Sequence, residues 1–298
     1  MADFKFKTNE NLKAHCTFQV GGNADLFYEL ENIEKLPASI TFARKKRIPY
    51  LIIGKASNIL FDDKGFRGLI IKNISNKIIF KKNLVTVDSG VSVSKLVQES
   101  FRRNLSPIEK WIGLPGTIGG AVYGNAGCNG LEIKDILDSA IIFNPKTGKS
   151  RKVSAKYFRF KYRSSKLKKS GEILLKGIFK LEKSKLSKND RQKIMAESSK
   201  RRLYSQPLGL SSGSFFKNPS SKNPAGMLIE KTGLKGKTVG KAQISEKHAN
   251  FLLNLGGATS EDIFKLAKLA KRLVKAKFAI TLKPEVQILD QNGKRKTL

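Results

Sequence analysis

Between Gly113 and Gly127 the chain places six glycines in fifteen residues: Gly113-Leu114-Pro115-Gly116-Thr117-Ile118-Gly119-Gly120-Ala121-Val122-Tyr123-Gly124-Asn125-Ala126-Gly127. Glycine loses more backbone entropy on ordering than any other residue. A run this dense suits a folded chain only where bare backbone is required, either for close approach or for positive φ angles that turn several amides toward one anion. Two readings are open, a tight backbone-packed turn and a phosphate or cofactor cradle, and the density of the run favours the second. The run satisfies neither G-x-G-x-x-G nor G-x-x-x-x-G-K-[ST], so the Rossmann fingerprint and the P-loop are both absent.

Periodic segments frame this run. Residues 33–47 pattern as a helix that Ile48-Pro49 ends, followed by a buried strand over 50–53, a turn-rich stretch at 54–58 and a strand around 68–71. Residues 77–80 and 84–88 alternate like strands. The stretch 92–103 puts Val93, Leu96, Val97 and Phe101 on one helical stripe. Residues 136–143, the turn Asn144-Pro145-Lys146-Thr147-Gly148, and 152–153 read as strand, turn and strand, and 171–181 as a further strand. The polar segment 184–191 is the best linker, and the domain boundary is placed there.

Beyond it, 191–202 reads as helix, followed by a Gly/Ser/Pro-rich loop and a short helix over 225–231 that Gly233 terminates. Thr259 with Asp262 forms a capping pair. Ile263, Leu266, Ala267, Ala270, Leu273 and Val274 then make an apolar stripe opposite Lys268, Lys271, Arg272 and Lys275, read as core packing. Strands over 279–282 and 285–289, around Lys283-Pro284, complete the pattern.

Composition narrows the class. The 298 residues, 40% of them hydrophobic, suffice for one large or two ordinary domains with real cores and argue against disorder. No apolar run approaches the ~20 residues that cross a bilayer. The start MADFKFKTNEN is polar where a signal peptide is apolar, so a cytoplasmic location is expected. Cys16 and Cys128 are too few for a disulfide framework. With only His15 and His248 beside them, no metal site is expected. The formal charge is +34, from 58 Lys and Arg against 24 Asp and Glu. Phosphate neutralisation in nucleic-acid binding is its obvious use. The cations recur in nearly every segment instead of forming one stripe with interleaved aromatics, so they read as solvated faces, and no specific nucleic-acid partner is expected.

Gly209-Leu210-Ser211-Ser212-Gly213 fits G-x-S-x-G, but a nucleophile elbow follows a strand and opens a helix, and Gln206-Pro207 and Ser214 to Pro219 flank this one. His248 has no assignable orienting partner. Ser214 and Lys217 lie three residues apart in a glycine-led loop, where a hydroxyl can deliver a proton while the ammonium holds an anion; the plain alternative is two turn residues. Arg163 is one arginine among many, and Glu285 is equally readable as a surface ion-pair partner.

Taken in order, Thr17-Phe18-Gln19-Val20-Gly21-Gly22, residues 54–60, the 113–127 run, Tyr162-Arg163-Ser164-Ser165, residues 206–219, Gln243-Ile244-Ser245-Glu246-Lys247-His248-Ala249-Asn250-Phe251 and Leu282-Lys283-Pro284-Glu285-Val286 resemble one family. These are the FAD-dependent UDP-N-acetylenolpyruvylglucosamine reductases of bacterial peptidoglycan synthesis. The resemblance covers nearly the whole chain, and its specificity lies in the ordered combination.

That resemblance implies an α+β fold. A two-subdomain FAD-binding domain of the vanillyl-alcohol-oxidase/PCMH type occupies residues 17–183, with subdomains at about 17–74 and 75–183. A smaller α/β substrate-binding domain follows over 184–298. It further implies that FAD is reduced by NADPH and passes hydride from its N5 to the enolpyruvyl double bond of UDP-N-acetylenolpyruvylglucosamine. Arg163, Ser214 and Glu285 match the family's catalytic positions, with Ser214 the proton donor. Gly54, Ser57, Asn58, Pro115, Gly116, Thr117, Gly119, Gly120, Ala121 and Val122 match the cofactor turns. Tyr162, Arg202, Lys217 and Asn218 match substrate contacts. A monomer without membrane insertion is implied as well.

The chain departs from the pattern at Lys55 and Ala56, where glycine is usual, and at Asn23, where proline is common. It also lacks the tyrosine-bearing insertion of the longer class, and so resembles the shorter one. A flavoprotein of the same fold with another substrate is the main alternative. A basic nucleic-acid-binding protein without flavin is the rival from another class.

Overall fold

A computed structural model describes residues 4–298. The chain forms two compact units: one contains 28–54 and 71–202, with Phe4 and Lys5; the other contains 6–27, 55–70 and 203–298. Both units are therefore discontinuous in sequence.

The first unit is built on an antiparallel sheet of five strands. Its order is Lys149–Ser154, Leu137–Asn144, Ile173–Lys180, Leu84–Asp88 and Ile78–Lys81. All five overlap segments that the sequence reads as strands, the first reaching beyond the 152–153 expected of it. The helix Val93–Arg102 starts on Ser92, whose hydroxyl accepts from the Lys95 amide at 3.2 Å, and buries Val93, Leu96 and Val97 completely. The short helix Ile118–Gly124 packs on Ile173–Lys180; on that strand a Cβ at Gly177 would stand 2.8 Å from the Phe179 ring and in ordinary contact, 3.5 Å, with the Ile118 side chain. Trp111 is fully buried and its indole donates to Leu131 O at 2.9 Å, tying the approach to the glycine run to the hairpin beyond it. A further sheet has the strand order Lys7–Asn11, Asn23–Leu30, Phe66–Asn73, Tyr50–Ile53. The helix Leu36–Lys45 lies in the first unit.

In the second unit the helix Ser260–Phe278 buries Ile263, Leu266, Ala267, Ala270 and Val274 against an antiparallel sheet of Thr238–Val239, Ala242–Ile244 and Leu252–Asn254. Thr259 and Asp262 form the reciprocal capping box that their spacing implies. The short helix Ala225–Glu230 packs against this helix. A parallel pair joins Ile59–Leu60 to Gln287–Ile288.

Three readings need correction. Residues 279–282 form no strand: the long helix runs to Phe278, Ala279 turns left-handed at φ 57 to end it, and the chain beyond is held by single contacts, such as that of Pro284 with Phe216. Of 285–289 only Gln287–Ile288 is strand. The polar segment at 184–191 is partly helix, because Lys188–Ser205 is one continuous helix whose Arg191 is buried in the first unit. The chain passes between units at Arg202 and Leu203, not at 184. Both cysteines are free thiols. Cys16 is buried, and burial raises its pKa; Cys128 is half-buried. Among the described residues, no helix is long and apolar enough to cross a membrane.

Candidate active site

In the first unit the glycine run resolves into an approach and a helix start. Gly116 takes φ +101, and Thr117 caps the helix in extended conformation, with its Oγ1 3.5 Å from the Gly120 amide. The first two helical amides serve the protein itself: Ile118 N–H donates to Val91 O at 2.9 Å and Gly119 N–H to Ser89 O at 2.8 Å. Gly119 is a close-approach glycine, since a Cβ there would sit 3.1 Å from Ser89 O. Gly54 is another, because any side chain on it would run into Thr117.

Gly120 and Gly124, four residues apart and so on one face, are different. A Cβ on Gly124 would meet nothing within 4 Å, and one on Gly120 only Thr117 Oγ1 at 3.9 Å. The opposite face carries buried Ile118, Ala121 and Val122. One side of the run is therefore a packed turn and the other is bare, accessible backbone, with exposed Pro115 leading in. The packed-turn reading holds on one face of this two-turn helix, and the other face has the bare backbone that a cradle requires.

Asn125 ends this helix in the left-handed region, φ 47, with its amide donating to Glu132 Oε2 and Lys161 O at 3.1 and 3.2 Å. The Lys161 carbonyl belongs to a tight turn. Lys161 and Ser164 exchange two backbone bonds of 3.0 Å, which puts Tyr162 and Arg163 at its tip. Ser165 Oγ donates to Tyr123 O at 2.8 Å, fastening the turn to the glycine helix. Arg163 is itself left-handed, φ 51, a conformation that costs a non-glycine residue roughly 1–2 kcal/mol. Lys168 Nζ on its carbonyl at 2.8 Å helps hold it. The guanidinium lies 5.2 Å from the Tyr162 ring centroid and reaches Gly127 O at 3.4 Å. Arg202 Nη1 stands 3.7 Å from Cys128 Sγ, so two candidate cations converge on the short strand Gly127–Cys128.

In the second unit, residues 214–217 run between two other segments and pair with both. Ser214 bridges Phe251, Phe215 N–H donates to Asn250 O at 2.7 Å, and Phe216 exchanges two bonds of 2.9 and 2.8 Å with the Asn250 side chain. On the other side Glu285 N–H donates to Phe215 O at 2.8 Å and Lys217 N–H to Lys283 O at 2.9 Å. Phe215 and Phe216 are buried, and Ser214, Lys217 and Glu285 are half-buried around them. Two residues 71 positions apart in sequence, Ser214 and Glu285, are thus brought onto adjacent backbone.

Asn58 joins the same assembly: its side-chain amide donates to Glu285 O at 3.1 Å, and its carbonyl accepts from Gln287 N–H at 3.0 Å. Ser57, beside it, is half-buried, and buried Ala56 sits at φ 43. Asn218 has a structural task, since its Oδ1 accepts from the Ala225 amide at 3.0 Å and opens the helix Ala225–Glu230.

Asn250 was missed in the sequence. It lies within the segment 243–251, and the signal is a polar residue between apolar Ala249 and Phe251, which must find partners if buried. His248 is held by local packing: its Nδ1 accepts from Asn250 N–H at 3.2 Å, its ring packs on Phe251, and burial pushes its pKa below the ordinary value. Leu210 bridges Asn254 and no helix follows Gly213, so the G-x-S-x-G match is not an elbow.

A cavity of about 860 Å³ lies elsewhere in the first unit, lined by Ser106, Pro107, Leu137 and Lys183 among others, and includes none of the candidate residues. The bare face of Gly120 and Gly124 and the positive φ of Gly116 suit a flat ring and a pyrophosphate better than that open cleft does. By this test the residues fit a flavin dinucleotide.

Known proteins agree. A model of the FAD binding domain matches residues 24–154, and one of the UDP-N-acetylenolpyruvoylglucosamine reductase C-terminal domain matches 206–289. UDP-N-acetylenolpyruvoylglucosamine reductases of Caldicellulosiruptor bescii and Clostridium tetani are 38% and 39% identical. The matches cover 96% of this chain and 91% and 92% of those proteins. The crystal structure of the corresponding reductase of Thermus caldophilus superposes with a TM-score of 0.80 at 32% identity, covering 96% of this chain and 98% of that one.

Proposed function

The chain belongs to the UDP-N-acetylenolpyruvoylglucosamine reductase family and carries its FAD-binding domain; from that premise we propose that it reduces UDP-N-acetylenolpyruvylglucosamine to UDP-N-acetylmuramate with NADPH, in the cytoplasm, as a step of peptidoglycan precursor synthesis. The observation that carries the reading is the pairing of Phe215 with both Asn250 and Glu285, which sets a hydroxyl, an ammonium and a carboxylate around one buried segment. FAD is assigned to the segments before the crossing at Arg202 and Leu203, and the UDP-sugar to those after it.

Bound FAD would supply the two-electron chemistry, accepting hydride from NADPH and delivering it to the methylene carbon of the enolpyruvyl group. Pro115, Gly116, Thr117, Gly119, Gly120, Ala121 and Val122, with Gly54, Ser57 and Asn58, are assigned to hold it, Gly120 presenting the bare backbone. As the methylene carbon gains hydride, negative charge develops on the neighbouring carbon and spreads into the carboxylate. Arg163 stabilises that charge, and its left-handed backbone is strain of the kind stored at functional positions. Ser214 Oγ then gives its proton to the carbanionic carbon, and Glu285 orients the substrate carboxyl or a water that returns the proton. Lys217, Arg202, Asn218 and Tyr162 bind the diphosphate and sugar.

The test is anaerobic. Purified protein with FAD is reduced by NADPH, and the substrate is then added. Return of the oxidised flavin spectrum is the expected result. Reduction without return would move the reading to another substrate, and no bound flavin would end it. In Ser214→Ala the NADPH step is expected to persist while reoxidation slows about 10²–10⁴-fold, the usual range for a lost proton donor; equal loss in both steps would remove Ser214 from that role.

A further inference from the structure

The helix Lys188–Ser205 is polar nearly all round, and only Arg191 and Ser198 are buried on it, with Met195 partly so. A helix without an apolar stripe needs another means of holding its place. Arg191, 1% exposed, supplies it. Its Nε and Nη2 reach Glu109 at 3.2 and 3.5 Å, its Nη1 donates to Asn104 Oδ1 at 3.0 Å and Phe101 O at 3.5 Å, and its Nη2 donates to Leu105 O at 2.5 Å. Glu109, 2% exposed, also accepts from Ser106 Oγ at 2.8 Å. A buried ion pair adds little net stability over an apolar pair of the same volume, because desolvation offsets the attraction. What this one adds is direction, since a planar fork with fixed acceptors permits one axial position and one rotation.

Arg202 lies eleven residues further along, roughly three full turns and about 16 Å, so it emerges on the face that carries Arg191. Its seat is the continuation of the segment that holds Arg191: its Cδ lies 3.2 Å from where a Cβ on Gly113 would stand, and its guanidinium reaches Cys128. We propose that the Arg191–Glu109 pair is a register lock that positions Arg202. The proposal's consequence for substrate rests on the preceding reading that Arg202 contacts the anionic part of the UDP-sugar.

Cys128 reports on Arg202 without any substrate, and the other cysteine, Cys16, is buried. The test measures the alkylation rate of Cys128 and the KM and kcat for UDP-N-acetylenolpyruvylglucosamine. The proteins are the FAD-loaded wild type, Arg202→Ala, Arg191→Lys and the apolar double variant Arg191→Met/Glu109→Leu. In the double variant Cys128 reactivity is expected to change at least about threefold, in the direction that Arg202→Ala sets. KM is expected to rise about tenfold with kcat within about twofold, a loss of binding without loss of chemistry. Adding Arg202→Ala to it should then have almost no further effect. Arg191→Lys should fall between wild type and the double variant. If the double variant does not fold, Glu109→Gln carries the same measurements.

Wild-type Cys128 reactivity in the double variant, or additive effects with Arg202→Ala, overturns the lock. Coupled Cys128 reactivity, with KM indifferent to Arg202→Ala, upholds the lock and refutes the substrate role of Arg202.

Discussion

The helices Lys188–Ser205 and Ser260–Phe278 are of nearly equal length and both are rich in lysine, yet they are held in opposite ways. The second buries five apolar residues in a continuous stripe and begins with a reciprocal capping box. The first buries one arginine and one serine. An apolar stripe holds an element through area removed from water, which tolerates small shifts; a guanidinium with fixed acceptors holds it by geometry and tolerates none. Mutation should therefore injure the two helices differently.

The largest expected effect comes from breaking the lock on one side only. Arg191→Ala leaves Glu109 buried without its cation and should cost about 3–5 kcal/mol in denaturant unfolding. Replacing both partners by Met and Leu should cost close to nothing. If the double change is as damaging as the single one, the pair contributes stability and the contrast fails. Next comes Leu266→Ala on the other helix. It removes a fully buried side chain from the stripe and should cost about 2–5 kcal/mol, depending on how far the cavity collapses, with no effect on Cys128 alkylation.

A smaller change tests how the second helix starts. Thr259→Ala should cost about 1 kcal/mol. The cap also makes a pH prediction. The Thr259 amide, and to a lesser extent its hydroxyl, hold the Asp262 carboxyl below the usual carboxylate range. Because the folded pKa is depressed, this contribution is complete above the unfolded value and is lost as pH falls through the folded one. Asp262→Asn should flatten that acid limb of the stability profile, and an unchanged limb would show that the cap does not titrate. Smallest of all, Lys268→Ala, on the solvent face, should change stability by under about 0.5 kcal/mol in thermal melts.

The same contrast explains what could be read in advance. In the first unit the sheet strands and the helix at Val93–Arg102 were legible because their periodicity sits in consecutive residues, and Thr259 with Asp262 was legible for the same reason. The strands Lys7–Asn11 and Asn23–Leu30 were not, because Lys7-Thr8-Asn9-Glu10-Asn11 carries no alternation and becomes a strand only by pairing Lys7 with Phe27. At the candidate site, residue identities came from an ordered set of motifs. Their geometry did not: Asn250 as the brace of Phe216, the carbonyl of Glu285 as the acceptor for Asn58, and Asn218 as a helix cap all depend on partners elsewhere in the chain.

By itself, then, the sequence determined the α+β class, most elements of the first unit, the capped amphipathic helix, the family, and a glycine run with room for bare backbone. Only the tertiary structure decided that one face of that run is packed and the other open, that 279–282 is not a strand, and that a polar helix is locked by a buried arginine. The reason is range: periodicity and capping act over four residues, whereas the acceptor that makes burial of Arg191 tolerable is Glu109, 82 positions away, and no local pattern announces it.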